Sequence, residues 1–298
     1  MRAELEALVY ELKQMRREGT QALPVAEGTL EGLRAAVRRL AADSPAPVPV
    51  ETSGAEEAAA APGTARSVPA APTPAKPATA PIPPPPKVVL PAGSREERWA
   101  WLRDQVLGDL VCQEHVKPGK QVVFGVGSIE AEILFCGEAP GAEEETQGEP
   151  FVGPAGELLT RIIGAMGLRR EQVYICNIMN WRPEMPTAFG NRPPTQEEMG
   201  YCLPYLRAQL EVVQPKVIVA LGKTAVDGLL GPDPQRRMGR IRGTWSEFNG
   251  VPLMPTFHPS YLLRNNSKRT KREVWEDLLK VMERIGMPVS ERQQQYFL

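Results

Sequence analysis

Two histidines occur in the 298-residue chain, and one of them, His258, stands in the run Thr256-Phe257-His258-Pro259-Ser260-Tyr261, just after an apolar stretch. Asn177 closes a second apolar stretch, Val173-Tyr174-Ile175-Cys176. A third, Glu132–Cys136, runs into Gly137-Glu138-Ala139-Pro140-Gly141, then the acids Glu143, Glu144 and Glu145, then Glu149-Pro150-Phe151-Val152-Gly153-Pro154-Ala155-Gly156. An imidazole, a carboxamide and several carboxylates supply donors, acceptors and acid or base groups. A phenyl ring held between prolines and glycines suits stacking on a flat ligand. From Arg264 to Arg272 five cations follow the His258 run directly, a pattern that suits phosphate groups. Taken singly, each feature has a plainer reading: a capping His, a turn Asn, a core Phe, a solvated acidic turn and a polar helix start.

Only the elements that carry these groups decide whether they meet. Strands are expected at Glu132–Cys136, Val173–Cys176, Lys216–Leu221 and Leu253–Phe257. Each is apolar throughout rather than alternating, as in a sheet covered on both faces. Helices are expected at about Glu96–Cys112, Ala155–Gly167, Gln196–Gln214, Lys223–Leu230 and Lys271–Ile285. This alternation implies an α/β fold, a three-layer αβα sandwich on a central four-stranded parallel sheet with right-handed crossovers. Ligands of such sheets bind outside the carboxyl ends of the strands, so the Gly137 loop, Asn177 and His258 should converge on one edge. Leu221-Gly222-Lys223-Thr224 imitates the end of a P-loop, but Val217 stands where that motif needs its first glycine, which argues against a nucleoside-triphosphate enzyme.

Hydrophobic residues make up 42% and charged residues 24%, ordinary for a globular chain, but 31 prolines are an excess. They concentrate in an Ala/Pro/Ser/Thr-rich stretch at 44–93, which reads as a disordered linker. Before it, residues 1–43 carry two short helical patterns, Leu5/Leu8/Val9/Leu12 and Leu30/Leu33/Val37/Leu40, readable as a helical hairpin or a partner-docking segment. The α/β domain spans 94–287, and 288–298 reads as a tail. A net charge of −1 gives no global attraction to an anionic partner, so a local patch must hold one. The chain shows no apolar run of membrane-spanning length and no signal-peptide core, giving the expectation of a soluble, cytoplasmic, monomeric protein. Cys112, Cys136, Cys176 and Cys202 form no CxxC pair and are too few for a disulfide scaffold.

Taken together, these motifs resemble the uracil-DNA glycosylase superfamily, most of all its family 4, over about Arg98–Gly286. The resemblance rests on the Gly137–Gly141 loop with its trailing acids, Glu149–Gly156, Val173–Asn177, Arg182-Pro183 with Asn191-Arg192-Pro193, Ile241-Arg242-Gly243 and Thr256–Arg264. It implies hydrolysis of the N-glycosidic bond of deoxyuridine after the base is flipped out of the helix. Within it His258 resembles the donor to the pyrimidine oxygen, Asn177 the amide that reads the base edge and Phe151 the stacking ring, with Gly137 and Ala139 also lining the base. Family 4 lacks the water-positioning Asp of other relatives, and Ala139 stands there, so Glu138 or Glu144 is the carboxylate expected to assist. Ser260, Arg264, Lys268 and Arg269 would contact phosphates, and Leu262 would wedge into the gap left by the flipped base. Two alternatives stand beside this reading: a non-catalytic lesion-binding module, and a glycosylase for another deaminated base.

The departures concern a cofactor. Family 4 holds a [4Fe–4S] cluster through four cysteines, of which only Cys112 and Cys202 match here. Trp181 replaces a third, and neither Asp109 nor His115 supplies the CxxC partner. The expectation is therefore no cluster and no metal, with Trp181 filling the space. The loop around Met185–Gly190 is also longer than the family pattern.

Overall fold

A computed structural model describes residues 82–184 and 192–298, all within one compact unit, Ala75–Leu298. The N-terminal helical patterns, most of the linker and the long loop around Met185–Gly190 lie outside the described residues. A six-stranded sheet runs β1 (Val126–Gly127), β3 (Tyr174–Asn177), β2 (Ile133–Gly137), β4 (Val217–Leu221), β6 (Val251–Thr256) and β5 (Ser246–Phe248) in spatial order. The four central strands are mutually parallel, as expected. The expected count of four is corrected to six by β1 and β5, short antiparallel edge strands of two and three residues. Neither is long enough to show a period of its own.

Among the described residues ten α-helices accompany the sheet: α1 (Arg95–Leu107), α2 (Leu110–Glu114), α3 (Glu144–Gln147), α4 (Pro154–Ala165), α5 (Gln196–Val213), α6 (Lys223–Leu230), α7 (Met238–Ile241), α8 (Pro259–Arg264), α9 (Lys268–Arg284) and α10 (Glu291–Gln294). Their starts follow local chemistry. Ser94 and Thr195 form capping boxes with Glu97 and Glu198, and Pro154 and Pro259 occupy first turns where a missing N–H costs nothing.

Every residue of β2, β3 and β4 is buried, which is why these strands read as unbroken apolar runs. One core gathers α1, α5 and α6 on one face, including Leu102, Leu206 and Val226. The other gathers α4, α8 and α9, including Leu159, Leu262 and Trp275. At both ends of the described domain, apolar side chains find the core. Ile82, Val88 and Leu90, in the last stretch of the expected linker, pack on the first core, and Val289 and Tyr296, in the expected tail, pack on the second. Among the described residues no helix is long and apolar enough to cross a membrane.

Candidate active site

The carboxyl ends of β2, β3 and β6 place Gly137, Asn177 and His258 at one edge of the sheet, because β2 pairs with both β3 and β4, and β4 with β6. A Cβ built on Gly137 would fall 2.4 Å from Asn177 Oδ1 and 2.5 Å from Phe151 Cζ. Carboxamide and phenyl ring thus approach one point that only a glycine leaves open. The Phe151 and His258 rings lie 5.5 Å apart, tilted by 32°. Gly222, at the end of β4, lets His258 pack closely, since a Cβ there would meet His258 Cβ at 3.0 Å.

His258 caps α8. Its Nδ1 accepts the backbone N–H of Ser260 at 3.1 Å and lies 2.8 Å from Ser260 Oγ. Because an amide N–H only donates, Nδ1 is unprotonated and the neutral ring carries its proton on Nε2. Burial, then the charge of Arg264, pushes its pKa down to about 4. The imidazole is therefore a neutral Nε2–H donor at physiological pH.

Among the acids, geometry separates the candidates. Glu138 is half-buried and is pushed above the usual carboxylate range by desolvation, which the nearby Thr224 side chain partly offsets. Glu144 is buried, and both its oxygens face backbone: Oε2 accepts Gly141 N at 3.1 Å, while Oε1 accepts Val152 N and Gly153 N at 3.2 Å each. Glu145 pairs with Arg182 at 2.8 Å, and Glu143 is exposed. Ala139 is half-buried beside Glu138, in a small cleft closed by Arg182 and Arg192.

Phe151 is 5% exposed and takes a left-handed backbone, φ 55°, unusual for any residue with a Cβ. Three contacts hold it there. Arg170 donates to Pro150 O at 2.5 Å, Glu144 receives the next two amides, and Gly156 comes so close that a Cβ would sit 1.8 Å from Phe151 O.

The phosphate candidates divide. Arg264, Lys268 and Arg269 are exposed, Arg269 in an i,i+4 pair with Glu273, while Ser260 is half-buried against His258. Leu262, the expected wedge, is 4% exposed and faces the second core, whereas Tyr261 and Leu263 are 37% and 45% exposed. Sequence reading missed Arg170 and Thr224. Nothing local marks Arg170, but Thr224 follows the carboxyl end of β4, and searching that strand end as the other three were searched would have found it.

The α/β domain thus gathers a neutral imidazole, a carboxamide, a clamped phenyl ring and a half-buried carboxylate at its strand ends. Residues 124–279 match the Uracil DNA glycosylase superfamily. The chain is 43% identical over 192 residues to the Type-4 uracil-DNA glycosylase of Thermotoga maritima, covering 63% of this chain and 94% of that one. It is 39% identical to the Type-4 enzyme of Saccharolobus solfataricus over 56% of this chain and 77% of the relative, and 39% identical to that of Archaeoglobus fulgidus over 59% and 87%. This chain belongs to the uracil DNA glycosylase superfamily, and within it lies with the Type-4 group.

That membership corrects the cofactor expectation. The relatives are Type-4 enzymes, the group to which the resemblance attaches an iron–sulfur cluster, so a cofactor-free chain does not follow from two missing cysteines. In this chain Cys112 and Cys202 are the thiols that would hold such a group, buried and in mutual contact. Interaction with the Cys202 thiol, then burial, pushes the Cys112 thiol well up. Around them Asp109 accepts from Tyr201, Tyr205 and the Cys112 amide. Trp181 is fully buried, 4.8 Å from the His115 ring and 6.0 Å from that of Tyr201, and its indole N–H has no partner among the described residues. Among the described residues these thiols join no group of three or more His, Cys, Asp or Glu, a donor set that does not fit four-thiolate ligation.

Proposed function

We propose that this chain is a DNA-repair uracil glycosylase that everts deoxyuridine from single- or double-stranded DNA and hydrolyses its N-glycosidic bond, leaving an abasic site. The observation that carries this is the tautomer of His258. Bond cleavage leaves negative charge on uracil, and a fixed Nε2–H aimed at a pyrimidine oxygen stabilises that charge more in the transition state than in the ground state. Being neutral, the donor needs no proton uptake to act.

Phe151 supplies the stacking face, which offsets part of the few kcal/mol spent on unstacking the base. Asn177, across Gly137, supplies a donor and an acceptor for the polar edge. Of the two carboxylates expected to assist water, the geometry favours Glu138, because both oxygens of Glu144 are taken up by loop amides. The Thr224 side chain beside Glu138 favours its ionised form. Leu263 replaces Leu262 as the side chain exposed enough to enter the vacated stack. The apolar spacing in residues 1–43 supports a protein-docking role for that segment.

An oligonucleotide carrying one uracil tests the reading. Alkali-sensitive cleavage at that position, lost in Asn177→Ala, is expected. Tight binding with no abasic product would instead identify a recognition module, and cleavage only at hypoxanthine would reassign the lesion.

A further inference from the structure

The arginines of 236–242 are not used by the site described above. Pro234–Gly243 contains Arg236, Arg237, Arg240 and Arg242 and no acid. Two of these anchor the segment. Arg236 pairs with Asp227 of α6 and donates to Gly231 O at 2.7 Å. Arg242 grips the fully buried Asp277 through two nitrogens, at 2.6 and 3.0 Å, and Asp277 also takes the Thr256 hydroxyl at 2.6 Å.

These anchors fix where the segment lies. Lys223, the first residue of α6 after β4, reaches Asp233 O at 3.1 Å, and Gly243 N donates to Pro255 O at 3.0 Å. The segment therefore runs along the carboxyl edge of the sheet, from the end of β4 to the end of β6. Met238 and Ile241 turn into the core shared by α1, α5 and α6, whereas Leu262, Val274 and Trp275 of α8 and α9 enter the other. The α8 and α9 helices thus lie on one face of the sheet and α7 on the other.

Arg237 and Arg240 are exposed and, among the described residues, neither is in an ion pair. Arg237 makes a single bond, to Pro234 O at 3.0 Å. On the α9 side, by contrast, Arg269 and Arg272 are each paired with a glutamate one turn on. Arg264 and Lys268 resemble Arg237 and Arg240 in being exposed and, among the described residues, in no ion pair.

We propose that Arg237 and Arg240 form a second phosphate-binding strip, gripping the DNA backbone across the sheet edge from Arg264, Lys268 and Arg269. The inference rests on the uracil-excision reading. A nucleotide turned out of its stack needs the backbone held on both flanks, and a chain of net charge −1 must do this with local cations.

The test is the salt dependence of binding to a uracil-containing duplex. Each neutralised phosphate contributes about 0.9 to the slope of log K against log salt on duplex DNA and about 0.7 on single strands. The Arg237→Gln/Arg240→Gln protein should lose between about 1.4 and 1.8 from that slope and bind roughly tenfold or more weakly at low salt. Arg237→Lys/Arg240→Lys should restore most of both, which a folding defect would not allow. Removing two exposed charges elsewhere, Lys87→Gln/Lys117→Gln, should leave the slope unchanged. A wild-type slope in the glutamine variant, or an equal loss in the lysine-87/117 control, overturns the proposal while uracil excision by the parent stands. A parent protein that excises no uracil removes the functional reading instead, and one that binds no DNA removes both.

Discussion

The loop that presents Phe151 is held against its own backbone preference, and releasing it should weaken the grip on uracil without touching the chemistry. A left-handed conformation costs a residue with a Cβ about 1–2 kcal/mol. Against this, Glu144 accepts three backbone amides, and hydrogen bonds to a charged group are worth about 1.5–3 kcal/mol each. Arg170 adds a bond to Pro150 O. With Glu144→Ala the balance reverses. Relaxation by about 1–2 kcal/mol leaves the stacking conformer populated roughly 5–30-fold less, and apparent affinity falls by the same factor. Stacking itself, about 1–3 kcal/mol per base, sets the ceiling. Arg170→Met works on the other side of Phe151 and should move the same quantity by a smaller amount, the double variant losing less than the sum. Single-turnover excision across enzyme concentrations, with inhibition by free uracil, measures this. Unchanged uracil inhibition in both variants would refute the clamp. So would a drop of about 10²–10⁴ in the saturating rate of Glu144→Gln at constant uracil affinity, which is the mark of a water-activating carboxylate.

Three further outcomes follow from the geometry. Gly137→Ala inserts a methyl 2.4 Å from Asn177 Oδ1 and should cost about 100-fold in excision, the scale of a 1 Å misplacement, with little change in melting temperature. With only two histidines to assign, nitrogen NMR should find His258 as the neutral Nε2–H tautomer down to about pH 4. Its folded value lies below the unfolded 6.5, so the unfolded chain takes up the proton first and stability should fall as pH drops from about 6.5 to 4, with no contribution above that window. Leu262→Ala should destabilise the fold by about 2–5 kcal/mol, whereas Leu263→Ala should leave melting nearly unchanged and reduce excision from duplex more than from single strands.

The central strands were legible because burial on both faces writes an unbroken apolar run, and the strand-end rule then located Gly137, Asn177 and His258. β1 and β5 were not, since two or three residues carry no period. Leu262 and Leu263 cannot be told apart in the sequence: one step along α8 turns a side chain from core to solvent, and which of two adjacent leucines faces out is decided by tertiary packing. Glu144 and Arg170 act through backbone amides and a carbonyl, partners that every residue has and no motif can single out. The second cationic strip was hidden similarly, because telling anchoring from exposed arginines requires knowing where Asp227 and Asp277 lie.

His258, proposed above to donate the hydrogen bond that stabilises the departing base, also starts the helix that carries Ser260 and Arg264. An alanine at 258 would therefore confound two losses, chemistry and grip, in one phenotype. Asparagine, a strong helix cap with a side-chain oxygen for the Ser260 amide, would keep the backbone phosphates in hand while withdrawing the imidazole. A protein that still seizes uracil DNA yet no longer cuts it is the natural form in which to trap the extruded nucleotide.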